Sequence, residues 1–117
     1  MGGPGGRTAP QNVAAQRDAV FRALSDPTRR AILDRLKRRE HGVAALCAPF
    51  EMSQPAISQH LRVLIDAGLV RAEKRGRERI YTLEPHALKL AYDWLAHFEA
   101  FWTEKLDALG AFLDSEE

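Results

Sequence analysis

The stretch Ser53-Gln54-Pro55-Ala56-Ile57-Ser58-Gln59-His60-Leu61-Arg62-Val63-Leu64-Ile65-Asp66-Ala67-Gly68 constrains the chain more than any other. It reads as one short helix with a defined start, a defined stop and two unlike faces. Ile57, Leu61 and Leu64 recur at spacings of four and three, the period of one helical face, and Ile65 widens the stripe. Ser53 suits an N-cap, and Pro55 falls in the first turn, where its missing N–H leaves no bond unmade. Gly68 follows Ala67 as a C-capping glycine does. The opposite face carries Gln54, Ala56, Ser58, Gln59 and Arg62. Gln and Arg make paired hydrogen bonds to base edges, and small residues let a helix approach the floor of a groove. An ordinary surface helix shares the apolar stripe, so the flanking segments decide between the two readings.

Upstream, Val43-Ala44-Ala45-Leu46-Cys47 is a short helical pattern that ends before Pro49. Downstream, Leu69 to Arg75 alternates apolar and polar residues, as a half-buried strand does, and a second alternating run spans Arg79 to Leu83. Gly76-Arg77-Glu78 joins them, which makes a hairpin. Arg75, Arg77 and Arg79 sit at its tip. The order helix, turn, helix, hairpin predicts a winged helix-turn-helix, mainly α with a small β-hairpin wing (α+β). The helix-turn-helix covers about residues 42–67 and the wing about 69–83.

Charge supports a polyanionic partner. The chain has a formal net charge of +1, but residues 1–83 hold 15 Lys and Arg against 8 Asp and Glu, whereas residues 84–117 hold 2 against 8. The positive part contains the helix-turn-helix and the wing, where DNA binding requires it. At 117 residues the chain is one domain, residues 11–117, behind a Gly- and Pro-rich segment, 1–10, that reads as a flexible tail. No apolar run is long enough to span a membrane, and one cysteine, Cys47, excludes an internal disulfide. A cytoplasmic protein with no membrane partner is expected.

Val13, Arg17, Val20, Phe21 and Leu24 share a helical register, and Asp26-Pro27 opens a second helix with Ile32, Leu33 and Leu36 inward. Glu84-Pro85 starts a last helix that runs to about Leu113. Leu88, Tyr92, Leu95, Trp102, Leu106, Leu109 and Leu113 form one apolar stripe, and Leu90, Trp94, Phe98, Phe101, Ala108 and Phe112 a second. Two apolar stripes imply two packing partners, the second being another copy of the chain.

Three ordered landmarks are similar to the ArsR/SmtB family of small bacterial winged-helix transcription factors: Ala23 to Leu33, Ser53 to Val70, and Gly76 to Tyr81. The resemblance covers about residues 13–113. It implies a homodimer joined through the first and last helices, with Val13, Val20, Leu88, Tyr92, Leu95, Phe98, Trp102 and Leu106 at the interface. Two recognition helices then lie about one DNA turn apart on a near-palindromic operator.

The family's metal sites fit poorly. Positions of its Cys-x-Cys pair are Gly42 and Ala44 here, and Cys47 alone is no thiophilic site; it reads as a small core residue. The family's zinc pattern is Asp-x-His, ten residues, then His-x-x-Glu. This chain has Glu84-Pro85-His86, ten residues, then His97-Phe98-Glu99-Ala100, so Glu84, His86 and His97 match while the fourth ligand is alanine. We therefore expect no metal and no cofactor, a metal-independent branch of the family, and an inducing signal the sequence does not name.

The leading expectation is a homodimeric, sequence-specific transcriptional regulator acting as a repressor. Gln54, Ser58, Gln59 and Arg62 would read the major groove with Ala56 allowing close approach. Ser53 and His60 would contact phosphates, and Arg75, Arg77 and Arg79 would hold the backbone or enter the minor groove. The alternatives are a zinc-responsive repressor using His86 and His97, or a winged-helix protein-interaction module. An enzyme is excluded by the scatter of His41, His60, His86 and His97 over different elements, without a nucleophile–base pair or phosphate-binding glycine loop.

Overall fold

The computed structural model describes residues 12–115; the expected tail, 1–10, lies outside the described residues. Helix α1 (Val13–Leu24) opens on Asn12, whose side-chain oxygen accepts from the Ala15 N–H at 3.1 Å. Helix α2 (Pro27–Leu36) opens on Asp26, with Pro27 in the first turn. Strand β1 (His41–Gly42), helix α3 (Val43–Cys47) and helix α4 (Gln54–Asp66) follow. Ser53 caps α4, its hydroxyl oxygen accepting from the Ala56 N–H at 3.3 Å. Gly68 ends that helix with φ 81°, a left-handed conformation that a side chain would strain. The turn lets the Leu69 N–H reach back to the Leu64 carbonyl at 2.9 Å.

Strands β2 (Val70–Arg75) and β3 (Glu78–Leu83) then pair antiparallel across a turn containing Gly76 at φ 65°. The sheet order is β1-β3-β2, with His41 opposite Tyr81 and Gly42 opposite Ile80. The expected winged helix-turn-helix is therefore present, with one extra strand. Two residues carry no periodicity, so β1 had no signature in the sequence.

One core joins these elements. Val20 and Ala23 of α1, Ile32 of α2, Leu46 of α3, Ile57, Leu61 and Leu64 of α4, and Leu69 are all buried, and Tyr81 closes the sheet side. Val20 corrects an expectation. It is 0% exposed within the single chain, so it is a core residue and has no surface to offer a second copy.

The expected single last helix is two: α5 (Pro85–Ala96) and α6 (Glu99–Ser115). At the junction the chain tightens, with the His97 N–H bonding the Trp94 carbonyl at 3.2 Å and the Phe98 N–H the Leu95 carbonyl at 3.0 Å. Such three-residue bonds turn the axis without a glycine or proline. The apolar repeat continues through it, so the pattern hid the break. Helix α5 is anchored on α1 through buried Ala87 and Ala91 and an edge-to-face contact between Phe21 and Trp94, ring centroids 5.8 Å apart. Helix α6 buries none of its residues. The radius of gyration is 18.1 Å, whereas a compact domain of about 100 residues has about 13 Å. No helix among the described residues is long and apolar enough to cross a membrane.

Candidate nucleic-acid interface

Because Ile57, Leu61 and Leu64 point into the core, α4 turns its other face outward by geometry alone. Ser53, Gln54, Ser58, Gln59 and Arg62 are exposed there, and Ala56 is half-buried between them. The side chains of Gln54, Gln59 and Arg62 have no hydrogen-bond or ion-pair partner among the described residues. Their donors and acceptors are carried outward on a helix capped by Ser53. A cleft of about 600 Å³ separates this helix from the hairpin, lined by Ser58, Arg62, Arg71, Arg79 and Tyr81 among others.

The pairing register decides which wing cations share the sheet face that packs toward the core. Ala72 is opposite Tyr81, Lys74 opposite Arg79 and Arg75 opposite Glu78. Successive side chains alternate between faces. Lys74 and Arg79 thus continue the face of Val70, Ala72 and Tyr81, the one that packs toward the core, out past its edge. Both are exposed and without an ion-pair partner among the described residues. Like charges directly opposite on a hairpin repel, so this pair gains from an anion between them. Lys74 was not among the sequence candidates; the same two-residue alternation that defined the strands would have found it.

Arg75 departs from expectation. It projects from the opposite face, where its Nη1 donates to Glu40 Oε1 at 2.6 Å and its Nη2 to Glu40 Oε2 at 2.9 Å and to Glu73 Oε1 at 2.7 Å. These bonds push its pKa up, and the Arg75 guanidinium holds the Glu40 carboxyl below its usual range. The positive charge of Arg75 is already matched twice over, so it clamps the wing to the segment before β1. Arg77 is exposed in the turn itself, with no partner among the described residues.

His60 is also placed differently from expectation. Its side chain is only 21% exposed, and Nδ1 lies 3.3 Å from Arg29 Nη1 and 3.8 Å from Asp26 Oδ2. The imidazole faces the start of α2. Asp26 accepts the Arg29 backbone N–H at 3.0 Å, which is the main reason its carboxyl sits below the ordinary aspartate pKa, with the nearby Arg29 charge adding to it. Nδ1 of His60 is thus engaged within the chain.

The remaining candidates lie on the helices. Val13 is 62% exposed at the start of α1, and Tyr92, Leu95, Phe98, Trp102 and Leu106 are all exposed on α5, the junction and α6. Leu88 is half-buried against the core. Glu84 is ion-paired to Arg71 at 2.5 Å. His86 stands in the first turn of α5 and His97 caps its other end, about 16 Å away at 1.5 Å per residue. Cys47 packs partly buried against the core as a free thiol.

A capped helix with an unpartnered Gln/Ser/Arg face, preceded by a short helix and followed by a basic hairpin, defines a winged helix-turn-helix DNA-binding protein. Comparison with known proteins carries this to a family. The family described as "Bacterial regulatory protein, arsR family" matches residues 26–72. The chain is 39% identical over 99 residues to the HTH-type transcriptional regulator Rv2034 of Mycobacterium tuberculosis, covering 85% of this chain and 90% of that protein. It is 37% identical over 79 residues to the transcriptional repressor SdpR of Bacillus subtilis, covering 68% and 88%. A crystal structure of an ArsR family transcriptional regulator superposes with a TM-score of 0.71 at 36% identity, covering 82% of this chain and 97% of that one. The chain belongs to the ArsR family. That family comprises transcriptional regulators, not enzymes.

Proposed function

We propose that the protein is a cytoplasmic, homodimeric, sequence-specific repressor that blocks a promoter by occupying a near-palindromic operator. One observation carries the DNA reading: Gln54, Gln59 and Arg62 on α4, with Lys74, Arg77 and Arg79 on the wing, form a surface whose polar groups have no partner among the described residues. Gln54, Ser58, Gln59 and Arg62 read base edges in the major groove. Lys74, Arg77 and Arg79 neutralise phosphates alongside it, and a stretch of backbone enters the cleft between helix and hairpin. Related proteins named as repressors and regulators support the role.

The dimer reading is supported by α6. Phe98, Trp102, Leu106, Leu109 and Leu113 follow one another at spacings of three and four, flanked by Phe101 and Phe112, and all are exposed in the single chain. A contiguous apolar surface of this extent on a helix that buries none of its residues marks a protein–protein contact. Together with Tyr92 and Leu95 of α5 and Val13 of α1, it forms the surface a second copy covers. Two-fold symmetry then presents two α4 helices to two half-sites.

Fluorescence anisotropy with operator and scrambled duplexes across a salt series tests this. Specific binding that weakens linearly in log–log form as salt rises is the expected result. Salt-independent binding, or equal affinity for both duplexes, would exclude it.

A further inference from the structure

Arg29 stands where three helices meet. Its Nε donates to the Ala23 carbonyl at 2.7 Å and its Nη2 to the Arg22 carbonyl at 3.0 Å, both in the last turn of α1. Its own backbone N–H is held by the Asp26 cap of α2. Its remaining terminal nitrogen, Nη1, lies 3.3 Å from Nδ1 of His60 on α4. A guanidinium has five donors and no acceptor, so in this contact Nδ1 is the acceptor. The carboxylate of Asp26, 3.8 Å from the same imidazole nitrogen, balances the guanidinium from the other side.

Capping the end of α1 requires only the two carbonyl bonds, and Arg30 Nη1 already covers the Leu24 carbonyl at 2.7 Å. The third bond of Arg29 does something else. It ties the helix whose exposed face carries Val13 to the helix that carries Gln54, Gln59 and Arg62. Both ends of the tie are partly buried, and a planar fork loses little freedom in making three fixed bonds.

We propose that Arg29 is a positioning residue: through His60 it fixes the angle of α4 relative to α1 and thereby sets the half-site separation that the dimer accepts. The orientation is a property of one chain. Its consequence for spacing rests on the dimeric DNA-binding reading above.

The orientation is measured without DNA. Spin labels on Asp18→Cys of α1 and Gln59→Cys of α4, in a Cys47→Ala background diluted with unlabelled protein, report the distance distribution between the helices by double electron–electron resonance. A narrow distribution is expected for the intact brace, with at least a doubling of width in Arg29→Lys, whose single ammonium cannot make all three bonds. His60→Ala, which leaves the α1 carbonyl bonds intact, broadens it as well and carries the test if Arg29→Lys fails to fold. His60→Asn restores the narrow width, because its amide oxygen takes the place of Nδ1. Unchanged width in both Arg29→Lys and His60→Ala overturns the brace.

Affinity is then measured on selected operators with the half-sites moved by one base pair either way. The intact protein should discriminate by about tenfold or more and His60→Ala by less than threefold, a loss of over 0.7 kcal/mol at about 1.4 kcal/mol per decade. Broadened distances with an unaltered spacing preference would overturn the link to half-site separation while leaving the DNA reading intact. Absence of any specific binding by the intact protein would overturn that reading instead.

Discussion

Arg79→Ala offers the sharpest quantitative test of the wing. Arg79 faces Lys74 across the hairpin, on the side that borders the cleft with Arg62, and has no ion-pair partner among the described residues. If each copy uses it to neutralise one phosphate, a dimer loses two contacts. Each contact contributes about 0.9 to the slope of log K against log salt, so the slope should become shallower by about 1.8. At 0.1 M salt that corresponds to roughly 60-fold weaker binding, about 2.5 kcal/mol, on specific and random duplexes alike. Arg75→Ala is the internal control. Its guanidinium is already held by Glu40 and Glu73, so its removal should shift the slope by less than half as much. Anisotropy titrations between 0.05 and about 0.3 M salt on both duplexes resolve the difference. An unchanged slope for Arg79→Ala, or a larger change for Arg75→Ala, would refute the assignment of wing faces.

Three further outcomes follow from the same geometry. Gln59→Ala should lose about 1–3 kcal/mol of discrimination at one or two base pairs while binding random DNA unchanged; equal weakening on every sequence would make it a backbone contact. Removal of residues 98–117 takes away α6 and most of the exposed apolar surface, so sedimentation should report a monomer that binds operator weakly; a dimer of full affinity would remove α6 from the interface. Asp26→Ala should cost about 1 kcal/mol of stability at neutral pH through loss of the α2 cap, read by urea unfolding. Because the folded-state pKa of Asp26 is depressed, its contribution is fully present above the ordinary value of 3.8 and is lost as pH falls through the folded value. The wild-type advantage should therefore persist down to about pH 4 and shrink below it; an advantage that instead grows on acidification would contradict the carboxylate's role.

The elements that were legible in the sequence are those fixed by local chemistry. Ser53, Asp26 and Pro27 announce helix starts because an orphan N–H must be met within three residues, and Gly68 announces a stop because only glycine takes φ 81° without strain. The outward-facing residues of α4 were legible for a related reason: once Ile57, Leu61 and Leu64 are inward, the opposite face is determined. What could not be read depends on partners distant in the chain. Val20 shares the helical register of surface residues but is buried in the core, and nothing local distinguishes it from Val13. The break at His97 and Phe98 needs no breaker residue, only tertiary anchoring of α5 on α1. Arg75 reads as a wing cation until Glu40, 35 residues earlier, is seen to hold it. His60 is the same case, since its partners Asp26 and Arg29 are contributed by another helix. Lys74 differs from these. Strand alternation alone places it beside Arg79, and the signal was simply outweighed by the three arginines around it.

The central claim is that the exposed face of α4 reads a DNA sequence in a two-fold arrangement, and it is tested most directly by selection from a random duplex pool. The full chain is immobilised, bound duplexes are recovered through several rounds at about 0.15 M salt, and the enriched pool is sequenced. The account predicts a near-palindromic motif whose half-sites are centred about one helical turn, 10–10.5 base pairs, apart, with enrichment at the positions lost by Gln59→Ala. A pool that stays random after selection, or a motif without two-fold symmetry, would contradict it.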